Sequence, residues 1–546
     1  MKVAEAVGRE LAGLGVSHVF GVVGSGNFHV TESLIRHGAR FVAARHEGGA
    51  ATMADIHARL TGRVAALSLH QGPGLTNALT GITEAAKSRT PLLVLAGDTP
   101  AWQRTSNFWI DQEAVIRALG AEVVTLTSPV TAVSEVARAY WQAAHERRTI
   151  VVNLPLDVQE REVPDGVPVS PLPELEAPAA SAAAVDRLSQ ALMNARRPVF
   201  VAGRGARHAS GPLRRLAEQS GALLATSAVA RGLFAGDPWS VDVMGGFASP
   251  AAAALIADAD LIVAWGASLN RWTTRDGTLV GSAATIVHVD DDPGAIGRHR
   301  PVHLGIVADV AAVALQVGDA LDRADHAVTG YRTTEVHETI ATRVGWRNVP
   351  YEDQGDADCV DPRTLSFALD DILPRERVVV PDSGNFCGYP SMFLSVPDND
   401  GFCMSFAFMS VGLGLSGSIG AALARPDRLA VAGVGDGGFL MGLSELETAV
   451  RLRLPLVVLV YNDSAYGAEV HHFADGGFDL SAVVFPQTDL AAIARGVGCE
   501  AITVRGVDDL GGVKAWLDGP RAAPLVIDAK IASFPCWFLA DAIHHE

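Results

Sequence analysis

The chain has few cysteines, and no pattern joins them. Cys359, Cys387, Cys403, Cys499 and Cys536 are scattered through 546 residues without one C-x-x-C pair. That argues against a cysteine zinc site and a disulfide framework, and it suits a reducing cytoplasm. Basic residues are also outnumbered: 43 Lys and Arg face 61 Asp and Glu, a formal charge of −18. A surface of that sign repels nucleic acid and anionic membrane, so neither is an expected partner. No apolar run reaches membrane-spanning length. The opening MKVAEAVGRELAGLGV sets Val3, Val7, Leu11 and Leu14 on one helical stripe, the pattern of a core helix rather than a signal peptide.

What remains is an ordinary globular composition, 49% hydrophobic and 19% charged. The length exceeds what one core supports, so about three domains are expected. Helical patterns alternate with short apolar strands throughout, which predicts three doubly wound α/β domains with parallel sheets. A Pro- and Ala-rich stretch near 163–183 and a polar stretch near 323–358 read as linkers. The expected domains are therefore residues 1–165, 184–325 and 355–546.

The most informative stretch is Val431 to Ala468. An apolar run, Leu429 to Val434, stops at Gly435-Asp436-Gly437-Gly438. A helical pattern with Leu443, Leu446, Ala449, Val450 and Leu452 follows, then a second buried strand, Leu456 to Tyr461, that stops at Asn462-Asp463-Ser464. Such a β-α-β unit puts Asp436 and Asp463 at the carboxyl ends of neighbouring parallel strands, where open α/β sheets bind ligands. Glycines there let backbone N–H groups approach a phosphate, and two hard oxygen ligands beside a diphosphate suit Mg2+.

Other strand ends carry polar groups. Gly24-Ser25-Gly26-Asn27 is a glycine-rich loop without full dinucleotide spacing. Glu47 follows a strand in RHEGGAATMADIHAR and opens a helix of small residues; its plainer role is a carboxylate complementing the helix dipole. His70 stands before Gln71-Gly72-Pro73-Gly74, where a strand-end histidine could simply bond to the backbone. Gln112, in IDQEAV, reads equally as surface-helix polarity. Pro381-Asp382-Ser383-Gly384-Asn385 ends another strand, and the small-residue run FAFMSVGLGLSGSIGAALAR spans Phe406 to Arg425.

Taken together, RHEGGAATMADIHAR, the GPG stretch with TNALTGITEAAKSRTPLLVLAGDTP, and GDG with Asp463 resemble the thiamine diphosphate-dependent enzymes. The closest likeness is to their acetolactate synthase-like and 2-oxo acid decarboxylase branch. The family carries two Asn after its second strand; here the second is Asp463. The resemblance implies pyrimidine-binding, central and diphosphate-binding domains in that order, the outer two related by duplication. It implies Glu47 as the acid that protonates the aminopyrimidine and so generates the ylid. A buried carboxylate of raised pKa is what that step asks for.

The same likeness implies Asp436, Asp463 and Ala465 as Mg2+ ligands. Asn385, Gly435, Gly437, Gly438 and Tyr466 are implied in cofactor binding. The Met409 carbonyl would accept from the cofactor amino group, and Val411 would wedge between its rings. His70, Gln112 and Glu469 are implied at the reacting carbon, and the family's Trp in the helix after the second metal ligand is His472 here. The central stretch Ser268 to Thr274 lacks the RFDDR-like segment of flavin-binding relatives, which puts FAD in doubt. The implied activity is decarboxylation of a 2-oxo acid to an enamine, which is then ligated to an aldehyde or ketone acceptor. Simple aldehyde release is the alternative, and a non-catalytic regulatory homologue or a flavin oxidoreductase lies further off. Sites shared between chains imply a homodimer or homotetramer. The segment Phe534 to Glu546 is expected to cover the site.

Overall fold

The computed structural model describes residues 1–166, 172–328 and 330–536. Three all-parallel sheets organise them. The first holds β1 His18–Gly21, β2 Arg40–Ala43, β3 Ala65–Leu69, β4 Leu92–Asp98, β5 Glu122–Thr125 and β6 Thr149–Pro155, in the order β2-β1-β3-β4-β6-β5. The second holds β7 Pro198–Ala202, β8 Leu223–Thr226, β9 Ser240–Val243, β10 Leu261–Trp265, β11 Thr285–Asp290 and β12 Leu304–Val307, ordered β12-β11-β10-β7-β8-β9. The third holds β13 Arg377–Pro381, β14 Leu429–Gly435, β15 Leu456–Asn462, β16 Glu500–Val504 and β17 Leu525–Lys530, ordered β13-β14-β15-β17-β16. No described helix is long and apolar enough to cross a membrane. For residues 537–546, the expected cover over the site lies outside the described residues.

The outer sheets share a wiring. Leaving aside β2 at its edge, the first sheet runs first-second-third-fifth-fourth in strand order, and so does the third. The central strands are buried on both faces and read as continuous Val, Leu and Ala runs, as parallel sheets require.

Two differences from the sequence expectation matter. The helical stretch after Gly435 is two pieces, Asp436–Met441 and Ser444–Arg451, broken at Gly442. The small-residue run from Phe406 is a loop as far as Leu413, and its helix is Gly414–Ala424. This helix crosses Glu47–Thr61 of the first domain closely. A Cβ on Gly420 would sit 2.3 Å from the Met53 carbonyl oxygen, and one on Gly417 would sit 3.2 Å from Ile56. Glycine is what lets the two backbones touch.

In the central domain the crevice at the β7/β10 switch point is filled by the chain itself. The Gly205 N–H donates to the Gly266 carbonyl at 3.0 Å, and a Cβ on Gly203 would lie 2.2 Å from that oxygen. Arg204, on the same turn, donates to the Ser88 carbonyl of the first domain. Arg89 and Arg147 pair with Asp292 and Asp291, each at 2.7 Å, and tie the neighbouring loop down.

Gly420→Ala should destabilise the protein by about 1–3 kcal/mol, because the clash is with backbone that cannot rotate away. The check is the denaturant midpoint at an unchanged slope; a shift within error would mean the helices have slack.

Candidate active site

Pairing of Gly435 with Tyr461 across β14 and β15 sets Asp436 beside Asn462 and Asp463. Asp436 is buried, and its Oδ1 has no hydrogen-bond partner. Burial pushes its carboxyl up to about 6. Burial, and then the charge of Asp436, pushes Asp463 up to about 7. Two carboxylates pushed up by burial, one of them further by the other's charge, with an orphaned oxygen between strand ends, form a place for a cation. The nearby ammonium of Lys530 does not fill it: its Nζ lies 2.9 Å from Asp528 Oδ2 and donates to the Thr488 carbonyl.

Beside the pair is a cavity of about 480 Å³, lined by Asp436, Gly437, Leu440, Met441, Asn462 and Tyr466 among others. Its lining tolerates no side chain at Gly437, where a Cβ would sit 2.6 Å from the Tyr466 ring; behind it, a Cβ on Gly438 would sit 2.4 Å from Asp382 Oδ2. Because the helix after Gly435 is only Asp436–Met441, its dipole is short, and glycine backbone and carboxylates carry the anion and metal character. Ser464 takes φ +55, and the ladder bonds from Tyr466 N to Val483 O and from Phe485 N to Ser464 O leave the Ala465 carbonyl outside the ladder. No group of three His, Cys, Asp or Glu able to hold a metal occurs among the described residues. Two carboxylates, one backbone carbonyl and diphosphate oxygens fit Mg2+ without a third acidic side chain.

Above the glycine floor runs the loop with Met409 and Val411. Met409 adopts φ +61, an uncommon conformation for this residue type. The loop is held by Asp382, at the end of β13, which accepts from Gly412 N at 2.9 Å, Leu413 N at 3.2 Å and Ser383 N at 2.9 Å. Burial outweighs these donors and leaves Asp382 pushed up to about 6. Sequence reasoning noted the strand-end loop but did not single out this residue; a buried acid before Ser383-Gly384 was the signal. Asn385 needs a correction. Its Nδ2 donates to the Phe534 carbonyl at 3.0 Å and its Oδ1 accepts from Cys536 N at 2.8 Å. Its amide staples residues 534–536 with one donated and one accepted bond, and Asn385 is not among the residues that line the cavity.

In the first domain Glu47 is the first residue of the helix Glu47–Thr61, capped by His46, whose ring accepts from Gly48 N at 3.0 Å. The Glu47 carboxylate accepts from Asn77 Nδ2 at 3.0 Å and is only partly buried, short of the enclosed environment expected of it. His70 stands nearby: a Cβ on Gly74 would lie 3.1 Å from the His70 Cβ and 3.7 Å from Glu47 Oε1. The imidazole Nδ1 lies 2.8 Å from the Gln71 carbonyl, its Nε2 lies 3.5 Å from Ser25 Oγ, and its ring meets Phe108 edge-on at 5.0 Å. Ser25 thus joins His70 at this face.

Gln112 is corrected too. It is neither surface polarity nor open to a substrate. It is buried, accepts from Gly72 N at 2.9 Å, and donates to the Gly97 carbonyl at 3.1 Å and Asn153 Oδ1 at 3.0 Å. It braces the turn before the GPG helix. Glu469 is exposed on the helix Gly467–Phe473, with His471 two residues on and 3.5 Å from Ser533 Oγ. Within the described residues of one chain, no hydrogen bond or ion pair joins Glu47 or His70 to Met409, Asp436, Asp463 or Glu469.

Comparison with known proteins follows this division. The N-terminal TPP binding domain of thiamine pyrophosphate enzymes matches residues 1–117, their central domain residues 185–317, and their C-terminal TPP binding domain residues 382–529. A sulfoacetaldehyde acetyltransferase of Rhodobacter capsulatus is 30% identical over 97% of this chain and 94% of its own length. The chloroplastic acetolactate synthase 2 of Nicotiana tabacum is 26% identical over 96% of this chain and 81% of its own. Among solved structures, the thiamine diphosphate-dependent 4-hydroxybenzoylformate decarboxylase of Rhodococcus jostii RHA1 shares the fold, with a TM-score of 0.82, 22% identity and coverage of 98% and 100% of the two chains. With both cofactor-binding domains and the central domain matched in order, the chain belongs to the thiamine pyrophosphate-dependent enzyme family.

Proposed function

We propose that this enzyme is a Mg2+-dependent carboligase and decarboxylase acting on a 2-oxo acid, with ligation dominant when an aldehyde or ketone acceptor is present. The observation that carries the reading is the pair Asp436 and Asp463, raised in pKa at adjacent strand ends beside a glycine-floored cavity. When bound, thiamine diphosphate supplies a carbon nucleophile toward the 2-oxo group and an electron sink for loss of CO2. Asp436, Asp463 and the Ala465 carbonyl would hold the metal. Gly435, Gly437, Gly438 and Tyr466 would surround the diphosphate. The Met409 carbonyl would accept from the cofactor amino group, and Val411 would pack against the cofactor. Glu47 would hold the proton exchanged with the pyrimidine ring.

Ser25 offers a hydroxyl hydrogen to the substrate carboxylate or carbonyl, and His70, whose Nδ1–H donates to the Gln71 carbonyl, presents Nε2, an acceptor in the neutral ring and a donor when protonated. Glu469 is the acid whose proton would divert the reaction to aldehyde release, and its exposure on a helix at the metal end favours keeping that second outcome in view. Domain boundaries are placed at residues 1–165, 184–325 and 355–546. The functional unit is a dimer or tetramer. Supporting this, Phe28, Trp102 and Phe108 are exposed on the first domain, and Met409, Met441 and Phe485 are exposed around the cavity. Unpartnered apolar faces on both halves of the cofactor machinery call for a second chain.

The deciding experiment incubates the Mg2+- and thiamine diphosphate-loaded enzyme with a panel of 2-oxo acids, with and without aldehyde acceptors, and identifies products. Hydroxyketones or acetohydroxyacids are expected with acceptor, and aldehyde without. No CO2 from any 2-oxo acid rejects the proposal.

Two variants test the site. Metal-free Asp436→Asn should be more stable than metal-free wild type, by on the order of 1 kcal/mol, since one of two mutually repelling buried carboxylates is gone. It should also lose the stabilisation that Mg2+ with thiamine diphosphate confers, read from the thermal midpoint. Equal metal-free stability would mean the two charges do not oppose each other.

Glu47→Gln and Asp436→Ala should each be inactive alone. After mixed reassembly in equal amounts they should regain about a quarter of wild-type activity, because half the dimers are mixed and each mixed dimer holds one intact site. No recovery places both residues in a site within one chain.

A further inference from the structure

Two buried carboxylates outside the machinery above cross between the outer domains in opposite directions. Glu445, on Ser444–Arg451 of the third domain, accepts from the backbone N–H groups of Arg45 at 3.0 Å and His46 at 2.8 Å, and from Thr448 Oγ1 at 2.7 Å. Those amides lie immediately before Glu47. Glu84, on Pro73–Lys87 of the first domain, accepts from the backbone N–H groups of Ala407 at 3.1 Å and Phe408 at 2.7 Å, and from Ser88 Oγ at 3.0 Å. Those amides lie immediately before Met409. Each carboxylate is only 1% exposed.

The arrangement is pseudo-symmetric. Glu84 rides on the crossover between β3 and β4, and Glu445 on the crossover between β14 and β15, which are the second-to-third strand connections of two identically ordered sheets. The receiving loops lead into Glu47–Thr61 and Gly414–Ala424, the two helices that touch at Gly420 and Met53. Space is made for one clamp by Gly49, where a Cβ would lie 2.6 Å from Glu445 Cγ. The other is paired with Arg59, whose Nη1 lies 3.5 Å from Glu84 Oε1. A buried carboxylate that takes two backbone N–H donors fixes a loop more firmly than a neutral acceptor does.

We propose that Glu84 and Glu445 are reciprocal positioning residues, each domain supplying the carboxylate that sets the cofactor-facing loop of the other. Glu445 acts through the Arg45 and His46 amides on Glu47. Glu84 acts through the Ala407 and Phe408 amides on Met409 and Val411. The effect at the cofactor rests on the function proposed above, whereas the clamps can be tested without it.

The first test is amide hydrogen exchange of the full cofactor-free chain. Glu445→Gln should speed exchange at residues 45–46 by about tenfold or more and leave residues 407–408 unchanged; Glu84→Gln should do the reverse. In the loaded enzyme, Glu445→Gln should slow exchange of the thiamine C2 proton by about tenfold or more, with cofactor affinity from tryptophan fluorescence nearly unchanged. Glu84→Gln should instead weaken cofactor affinity by about tenfold. If a glutamine variant does not fold, Thr448→Ala and Ser88→Ala remove one hydroxyl donor and no charge, and should give the same loop-specific pattern at smaller amplitude. Unchanged exchange, or faster exchange at both loops in each variant, overturns the proposal. So does the expected amide pattern with cofactor affinity and C2 exchange both unaltered. A wild-type chain that binds no thiamine diphosphate would instead remove the function reading and leave the amide result as the measure of the clamps.

Discussion

The contact between Gly414–Ala424 and Glu47–Thr61 sets the distance between the two halves of the molecule. At Gly420 the third domain presents bare backbone to the Met53 carbonyl, closer than any side chain permits. The first domain answers with Gly48, Gly49, Ala50, Ala51 and Ala54 on its own helix. Close-packed backbones of this kind resist sliding, because every atom in the contact is covalently fixed to the fold. Loops that leave these helices at their N-terminal ends inherit that rigidity, and both carry residues proposed above to face the cofactor.

Charge completes what the packing begins. Arg59, on the same helix, is buried and meets Asp55 at 3.1 Å and Glu84 at 3.5 Å, and donates to Ser88 Oγ at 3.2 Å and to the Met404 carbonyl of the third domain. Arg207 of the central domain donates to the Arg59 carbonyl at 3.1 Å. Three domains therefore meet at Arg59: its guanidinium is shared between the first and third, and its backbone carbonyl receives the central one. Buried ion pairs add little net stability over an apolar contact of the same shape, but breaking one strands its partner. The junction consequently favours one relative arrangement of the domains over near alternatives. The central domain, with Gly203, Gly205 and Gly266 in close backbone contact at its strand ends, contributes Arg204 and Arg207 to this junction.

Much of the fold was legible because parallel strands buried on both faces leave continuous apolar runs, and each such run in the sequence marks a strand. Five strands escaped notice, and four of them, β5 Glu122–Thr125, β9, β12 and β16 Glu500–Val504, sit at sheet edges, where half-exposed residues such as Glu122 and Glu500 blur the pattern; the fifth, β8, is buried but only four residues long. At the site, Asp436 and Asp463 could be brought together from local sequence alone, since one β-α-β unit carries both. Gln112 and Asn385 could not be placed that way. Their amides are consumed by Gly72, Gly97 and Asn153, and by Phe534 and Cys536, through contacts that depend on the folded path of the chain. Glu84 and Glu445 were hidden for the same reason: a glutamate in a helix reads as solvated surface until the opposing domain is in view.

The clamps by Glu84 and Glu445 divide the chain unequally into givers and receivers. Each giver needs a particular side chain of a particular length. Each receiver gives only its backbone N–H, so the side chains of Arg45, His46, Ala407 and Phe408 are not read by the clamp. Any residue but proline, which lacks the donor, satisfies it there. Substitutions can therefore accumulate in the loops nearest the cofactor, altering what those loops present to a substrate, while the loops themselves stay hooked in place. A scaffold built this way lets its chemistry drift without its geometry following.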